Sequence, residues 1–312
     1  MQKVLFMGSK RLGLRVCQEM RSLSAQTLMG ALIIDDREDT RTVFNDFETF
    51  ARDSGLAFYA AKNRKQAEEI IARLKPDLCL VAGWYWLLGR ETLSFAPHGF
   101  IGIHNSLLPK YRGGSPLIWP ILNGEKEVGF SFFTFTNGMD DGPVWAQGRI
   151  PVEETDYISD ILEKLESKTV EVLREVYLPI LAGQRQPAPQ DHNQATYCAQ
   201  RTPNDGLVDW RQSARQVYNF IRSQSDPYPG AFTHYENSPM KLWRARLFER
   251  PYYGIPGQAA RIDAGEVYVI CGDHRAVILE QVEVASKRGK PGEWIKSIKT
   301  RLSGAPAGNL SP

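Results

Sequence analysis

A histidine that ends an apolar run and an aspartate in a glycine-rich turn are the residues of this chain best suited to moving protons. His104 closes the segment Gly99-Phe100-Ile101-Gly102-Ile103-His104, and the turn Asn105-Ser106-Leu107-Leu108-Pro109-Lys110-Tyr111-Arg112-Gly113 follows it. Asp140 lies in the turn Asn137-Gly138-Met139-Asp140-Asp141-Gly142. An imidazole at the carboxyl end of a buried strand, opposite a carboxylate that favours its charged form, is a general acid/base pair. Taken singly, the same residues read as a hydrogen-bonded core histidine and a turn aspartate. The run Gly8-Ser9-Lys10-Arg11-Leu12-Gly13 sets backbone N–H groups and two cations at a helix start, a place for an anionic substrate group. It is neither a dinucleotide fingerprint nor a P-loop, and a plain strand-to-helix turn is the simpler reading. Lys110 and Arg112, beside the His104 turn, would hold a phosphate or pin the loop. The 5 His and 4 Cys are scattered without ligand spacing, so no metal is expected.

In order, His104, Ser106-Leu107-Leu108-Pro109, Arg112-Gly113 and Asp140 resemble the core of the folate-dependent formyltransferases. There Asn-x-His precedes Ser-Leu-Leu-Pro-x-x-Arg-Gly, and an Asp follows in a Gly-x-Asp-x-Gly turn. The later segments Thr196-Tyr197, Asp209-Trp210, Ile221-Arg222 and Pro227-Tyr228-Pro229-Gly230-Ala231-Phe232 resemble the carboxyl-terminal domain of the methionyl-tRNA and polymyxin-resistance aminoarabinose members. The resemblance implies an N-formyltransferase that carries a formyl group from 10-formyltetrahydrofolate to a primary amine. His104 and Asp140 would be catalytic; Trp86, Leu87, Leu88, Thr136, Asn137, Gly138, Met139 and Asp140 would line the pterin pocket. Gly8, Lys10, Arg11, Ser106, Lys110 and Arg112 are the acceptor-side candidates. Gly102 stands where the family has asparagine. Position 102 shares a strand face with His104, whereas Asn105 points the other way unless the strand has ended. Losing one oxyanion donor costs roughly a hundredfold to a thousandfold in rate. Three readings follow in order of preference: a water or backbone N–H uses the room the glycine leaves, the enzyme runs a slower or different acyl chemistry, or the protein only binds.

Short apolar runs alternating with helical patterns must position these residues. Strands are expected at 3–7, 28–34, 57–61, 77–82 and 100–104, with helices at 12–20, 45–54, 64–74 and 117–122. An extended pair at 128–135 and 144–150 brackets the Asp140 turn, and a long amphipathic helix covers 156–181. This is an α/β, Rossmann-like, doubly wound, mainly parallel sheet. A polar, proline-bearing stretch at 183–195 reads as a linker between a catalytic domain, 1–182, and a carboxyl-terminal domain, 196–312. There a helix at 213–222, a rigid turn at 226–232 and short strands at 241–248, 257–262, 267–271 and 276–284 suggest a small β-barrel-like, OB-like fold. Residues 303–312 are small and polar and are expected to fray.

At 312 residues and 42% hydrophobic content the chain can build a full core. Lys plus Arg total 38 against 36 Asp plus Glu, so no global field favours nucleic acid or an anionic membrane. Four separated cysteines without a C-x-x-C pair read as reduced thiols, and no signal peptide or membrane span is apparent, which points to a cytoplasmic protein. The acidic run Asp35-Asp36-Arg37-Glu38-Asp39-Thr40-Arg41 would repel a phosphate backbone, while Lys287-Arg288-Gly289-Lys290 and 296–301 are basic. The expected acceptor is a small amine, first a nucleotide-linked amino sugar, with tRNA disfavoured; a homo-oligomer is compatible with the sequence.

Overall fold

The computed structural model describes residues 2–236 and 238–303; the expectation for 303–312 falls, apart from Ser303, outside the described residues. Wholly buried runs form the central strands β1 (Val4–Gly8) and β4 (Leu78–Ala82), β2 (Leu28–Ile34) and β5 (Phe100–His104) are largely buried, and the edge strand β3 (Phe58–Ala61) is mostly not; they pair in parallel in the order β3-β2-β1-β4-β5. Between them run α1 (Lys10–Leu23), α2 (Phe44–Ser54), α3 (Arg64–Leu74) and the short α4 (Arg90–Ser94). Local chemistry sets their ends. Asn63 caps α3 by accepting the Gln66 N–H at 3.0 Å, and Gly55, at φ +65°, ends α2 where a side chain would be strained.

The direction of winding reverses between β1 and β4, the usual ligand crevice of such a sheet. At this point the backbones after β1 and β4 approach closely. A Cβ on Gly8 would lie 2.1 Å from the Ala82 carbonyl, and one on Gly83 would lie 2.3 Å from the Ser9 carbonyl. Gly8 thus serves close packing of β1 on β4.

After β5 come β6 (Arg112–Gly113), the short helix α5 (Ile118–Leu122), β7 (Glu127–Thr134) and β8 (Val144–Pro151). β7 adds to β5 antiparallel, with His104 opposite Ser131 and Gly102 opposite Phe133, and β8 completes the seven-stranded sheet. Helix α6 (Ile158–Leu181) follows, and β9 (Tyr197–Cys198) pairs in parallel with β6.

The second sheet is antiparallel: α7 (Ala214–Gln224) leads into β10 (Ala231–Tyr235), β11 (Ser238–Phe248), β12 (Ala259–Asp263), β13 (Glu266–Ile270), β14 (Ala276–Val284) and β15 (Lys287–Gly289). The order is β10-β11-β14-β13-β12, with β15 on β14. Residues 301–303 touch both outer strands or their ends, Arg301 bridging Gln258 and Ser303 bridging His234. That closes the edges in the manner of a barrel. Val267, Val269, Leu279, Leu242 and Ile221 are among the fully buried residues of its core.

The chain divides into two compact units that are not two consecutive blocks. One holds 1–116, 128–150 and 163–199; the other holds 117–127, 151–162 and 200 onward. The 183–195 stretch, expected as a linker because it lacks an apolar period, is stitched to the first unit: Ala188 and Val144 exchange backbone hydrogen bonds of 2.8 and 2.7 Å. No described helix is long and apolar enough to cross a membrane.

Candidate active site

Strand β5 ends in a histidine that is 8% exposed. Its Nε2 lies 2.8 Å from the Tyr111 carbonyl, which can only accept, so Nε2 carries a proton and donates it there. Nδ1 then faces Asp140, with Oδ2 at 3.6 Å. This is an ion-pair distance, longer than a hydrogen bond, as catalytic contacts often are before substrate arrives. The Gly113 N–H donates to the same Oδ2 at 2.8 Å. A Cβ on Gly113 would lie 2.5 Å from the Cys198 carbonyl, and its φ is +106°, so the glycine of the Arg-Gly pair is required for this approach. Tyr111 and Asp140, the polar partners of the two imidazole nitrogens, both sit in the left-handed region, at φ +56° and +49°. Such backbone is disfavoured for residues with a Cβ and persists only where its surroundings fix it.

Gly102 lies on the same face as His104, but it leaves no free room. A Cβ there would stand 2.0 Å from Cε1 of Phe135. The Phe135 ring stacks on Phe100 at 6.5 Å and tilts against Phe133 at 5.3 Å, and Phe133 meets the His104 ring edge-on at 6.1 Å. An aromatic group therefore fills the space next to position 102. The expectation that glycine admits a water or an exposed N–H there is corrected by this packing.

The turn after β5 is braced from within. Buried Ser106 donates to the Lys110 carbonyl at 2.6 Å, and its own carbonyl accepts from Ser131 Oγ at 2.7 Å. Arg112 is 2% exposed; its Nε and Nη2 donate to Gln190 Oε1 at 3.1 and 2.7 Å, and Nη2 lies 3.1 Å from His192 Nδ1. Of the alternatives for Arg112, this contact set pins the loop. Lys110 is exposed. The two cations after β1 are engaged by acids: Lys10 Nζ lies 2.5 Å from Asp36 and 2.8 Å from Asp39, and Arg11 pairs with Glu163 and Glu166. Burial opposes ionisation of Asp39, but hydrogen bonds from Arg41 and Lys10 prevail and hold its carboxyl well below the usual range.

Trp86 and Leu88 turn inward and pack, with Phe135, against the cluster that holds Phe100, Cys79 and Val81. Leu87 and Met139 remain 85% and 59% exposed. The Asp140 turn is kept compact by Thr136, which donates to Asp141; a Cβ on Gly138 would collide with that carboxylate at 2.0 Å. Asn137 and Gly138 are exposed. Cys198, near Asp140, has its thiol pushed up to about 11 by burial and by that carboxylate, which suits it poorly as a nucleophile. No group of metal-ligating residues occurs among the described residues.

The residues of the candidate site that the sequence did not single out are Gln190, which joins Arg112 to the Asp140 turn, and Phe135. A lone glutamine in a polar stretch carries no periodic signal. Phe135 stands at the end of a recognisable strand, but its meeting with Gly102 is a tertiary fact.

Residues 34–177 match the formyl transferase family and residues 201–299 match the formyl transferase C-terminal domain. Methionyl-tRNA formyltransferase of Acetivibrio thermocellus is 34% identical over 226 residues, 72% of this chain and 72% of its own length. That of Roseiflexus castenholzii is 29% identical over 308 residues, 97% of each. Among solved structures, WlaRD, a sugar 3N-formyl transferase crystallised with dTDP and 5-N-formyl-THF, superposes with a TM-score of 0.66 at 16% identity, covering 92% of this chain and 99% of that one. HypX from Aquifex aeolicus in complex with tetrahydrofolic acid gives 0.64 at 19% identity, covering 94% of this chain; this chain spans only 46% of that longer one. At such identities the structural likeness speaks for the fold.

Proposed function

Because the chain belongs to the formyltransferase family, we propose that it transfers a formyl group from 10-formyltetrahydrofolate to a primary amine, with His104 and Asp140 as the proton-moving pair. The observation that carries this is the 3.6 Å approach of His104 Nδ1 to Asp140, while Nε2 is held by the Tyr111 carbonyl. The reduced folate, when bound, supplies an activated formyl carbon and a nitrogen leaving group. The chain's share is proton traffic. The amine loses a proton as its nitrogen bonds to the formyl carbon, and the departing nitrogen gains one. Nδ1 of His104 is the position on the imidazole free to carry that proton, and the Asp140 carboxylate stabilises the imidazolium while it does. The exposed apolar side chains of Leu87 and Met139 suit a flat pterin, since exposed apolar surface beside polar catalytic groups is a usual mark of ligand contact. Trp86, Leu88 and the 136–140 turn would shape that pocket.

For the acceptor, the proposal is a small amine of the nucleotide-linked amino-sugar class. What weighs against a long phosphate backbone is the pairing of Lys10 and Arg11 with acids, which leaves the β1–α1 turn with little net positive charge. Methionyl-tRNA is the second reading, favoured by the 34% identity to the Acetivibrio protein. The test is turnover of 10-formyltetrahydrofolate with dTDP-linked amino sugars and with methionyl-tRNA, alongside thermal denaturation with 5-formyltetrahydrofolate. A ligand at a hundred times its Kd should stabilise the fold by about 2.7 kcal/mol. Absence of both a melting shift and any turnover would sink the proposal; turnover of tRNA alone would select the second reading.

A further inference from the structure

Gln190 is buried, 8% exposed, in a stretch from Ala182 to Gln200 whose other residues are exposed or only half-buried. Its amide is fully committed. Oε1 accepts two hydrogen bonds from the Arg112 guanidinium, at 3.1 and 2.7 Å, and Nε2 donates to the Asp140 carbonyl at 2.8 Å and to the Gly142 carbonyl at 2.7 Å. Two donors and two acceptor sites exhaust what a glutamine side chain offers. The two carbonyls belong to the turn that carries Asp140, whose φ of +49° needs support from its surroundings. Holding both on one NH₂ group fixes the path of the backbone through residues 140–142. The Gly113 N–H then fixes the carboxylate, 2.8 Å away, in front of His104.

Tethering the segment does not require this amide. Ala188 exchanges backbone hydrogen bonds with Val144, and the Arg112 and Gly114 N–H groups bond the Thr196 and Cys198 carbonyls at 2.9 and 3.0 Å. Those contacts hold the chain on either side of position 190.

We propose that Gln190 is the positioning residue for Asp140, with buried Arg112 as its anchor. The idea rests on the reading of Asp140 as the partner of His104, and its structural half can be tested without substrate. In the full-length protein, Gln190→Glu keeps an acceptor for Arg112 but removes both donors to the turn and turns a carboxylate toward two carbonyls; Gln190→Ala removes both halves. Hydrogen exchange of the Gly113 amide reports the Asp140 contact, and that of the Gly114 amide, bonded to Cys198, reports the neighbouring backbone. Gln190→Glu should speed Gly113 exchange by roughly tenfold, the scale of one lost hydrogen bond, while Gly114 exchange stays as in the parent. Formyl transfer by the same variant should lose about a hundredfold in kcat with the KM for the folate donor nearly unchanged, the scale of a misplaced catalytic group.

A merely structural residue would raise Gly113 and Gly114 exchange together, and that outcome overturns the proposal. So does a Gln190→Glu protein whose Gly113 protection and kcat match the parent. If the parent shows no transfer to any acceptor, the proposed function fails, while the exchange measurement still decides whether Gln190 holds Asp140.

Discussion

His104 has one nitrogen committed to a backbone carbonyl and one turned to a carboxylate, which leaves a single position for a mobile proton. His104→Ala should therefore abolish measurable transfer with the fold intact. Asp140→Asn should do nearly as much, since it removes the charge that supports the imidazolium and leaves a shape-matched side chain. Near-normal steady-state turnover by a well-folded His104→Ala protein would refute the assignment. Gly102 invites a second test. An asparagine there, the family residue, would have to displace Phe135, whose ring atoms stand 2.0 to 3.0 Å from where its Cβ would be. Overpacking of this kind typically costs about 1–3 kcal/mol. Gly102→Asn alone should thus lower the melting temperature and bring no gain in rate. Paired with Phe135→Ala, the amide has room, and single-turnover transfer should rise, up to the hundredfold scale that one oxyanion donor carries. A rate gain in the single variant would show that the ring yields easily; none in the double variant would show that the missing amide does not limit chemistry.

At the scale of elements, the site is the meeting of the end of β5, the Arg112–Gly113 strand and the turn between β7 and β8, flanked by the segment after β4. The loop after β2 returns to the start of α1 through Asp36 and Asp39, both salt-bridged to Lys10. The carboxyl of Asp39 is held low by Arg41 and Lys10 in spite of burial. A depressed folded-state value means stability that is present above the unfolded carboxylate range, near pH 4, and is lost as pH falls through the folded value. Melting temperatures of the parent and Asp39→Asn should accordingly differ at neutral pH and converge in acid; a gap that widens on acidification would contradict the ion-pair account. The elements themselves were largely legible. β5 at 100–104 and α3 at 64–74 agree with their expected limits, because one is a short apolar run and the other has a helical stripe. β10 was hidden: Pro227-Tyr228-Pro229-Gly230 reads as a turn, and the five residues after it owe their strand to pairing with β11. β6 and β9 are two residues each, too short for any period, and exist because Arg112 and Tyr197 are brought together by the fold. His104, Arg112-Gly113 and Asp140 could be named because their order resembles the formyltransferase motif, whereas Gln190 and Phe135 enter only through contacts between distant segments.

At the scale of the whole molecule, many of the charges are paired within each unit. In the first, Lys10, Arg11, Arg15, Arg37 and Arg41 all face carboxylates. In the second, two of the basic residues after β14 are partnered by acids: Lys287 lies 3.1 Å from Glu293, and Arg288 lies 2.7 Å from Asp226 and 2.9 Å from Glu283; Lys290 and Lys296 donate instead to the Ala264 and Gly292 carbonyls. The Arg288 guanidinium donates hydrogen bonds to both carboxylates, and these hold it firmly charged against its desolvation. A net charge of +2 spread in this way gives weak long-range attraction for a polyanion. The acceptor question can therefore be put as a salt titration. Binding to a nucleic acid backbone releases counterions, so a protein contacting 6 to 10 phosphates loses about 10³ to 10⁵ in affinity between 50 and 200 mM salt. A nucleotide-linked sugar carries only its own few charges and should show a shallow dependence. Measured with each acceptor at fixed 10-formyltetrahydrofolate, kcat/KM for the amino sugar should fall by less than roughly tenfold over that range, and kcat/KM for methionyl-tRNA should be low already at 50 mM. The reverse pattern, efficient transfer to tRNA that collapses steeply with salt, would mean that the paired cations re-partner with phosphate on binding, and the small-acceptor reading would have to be given up.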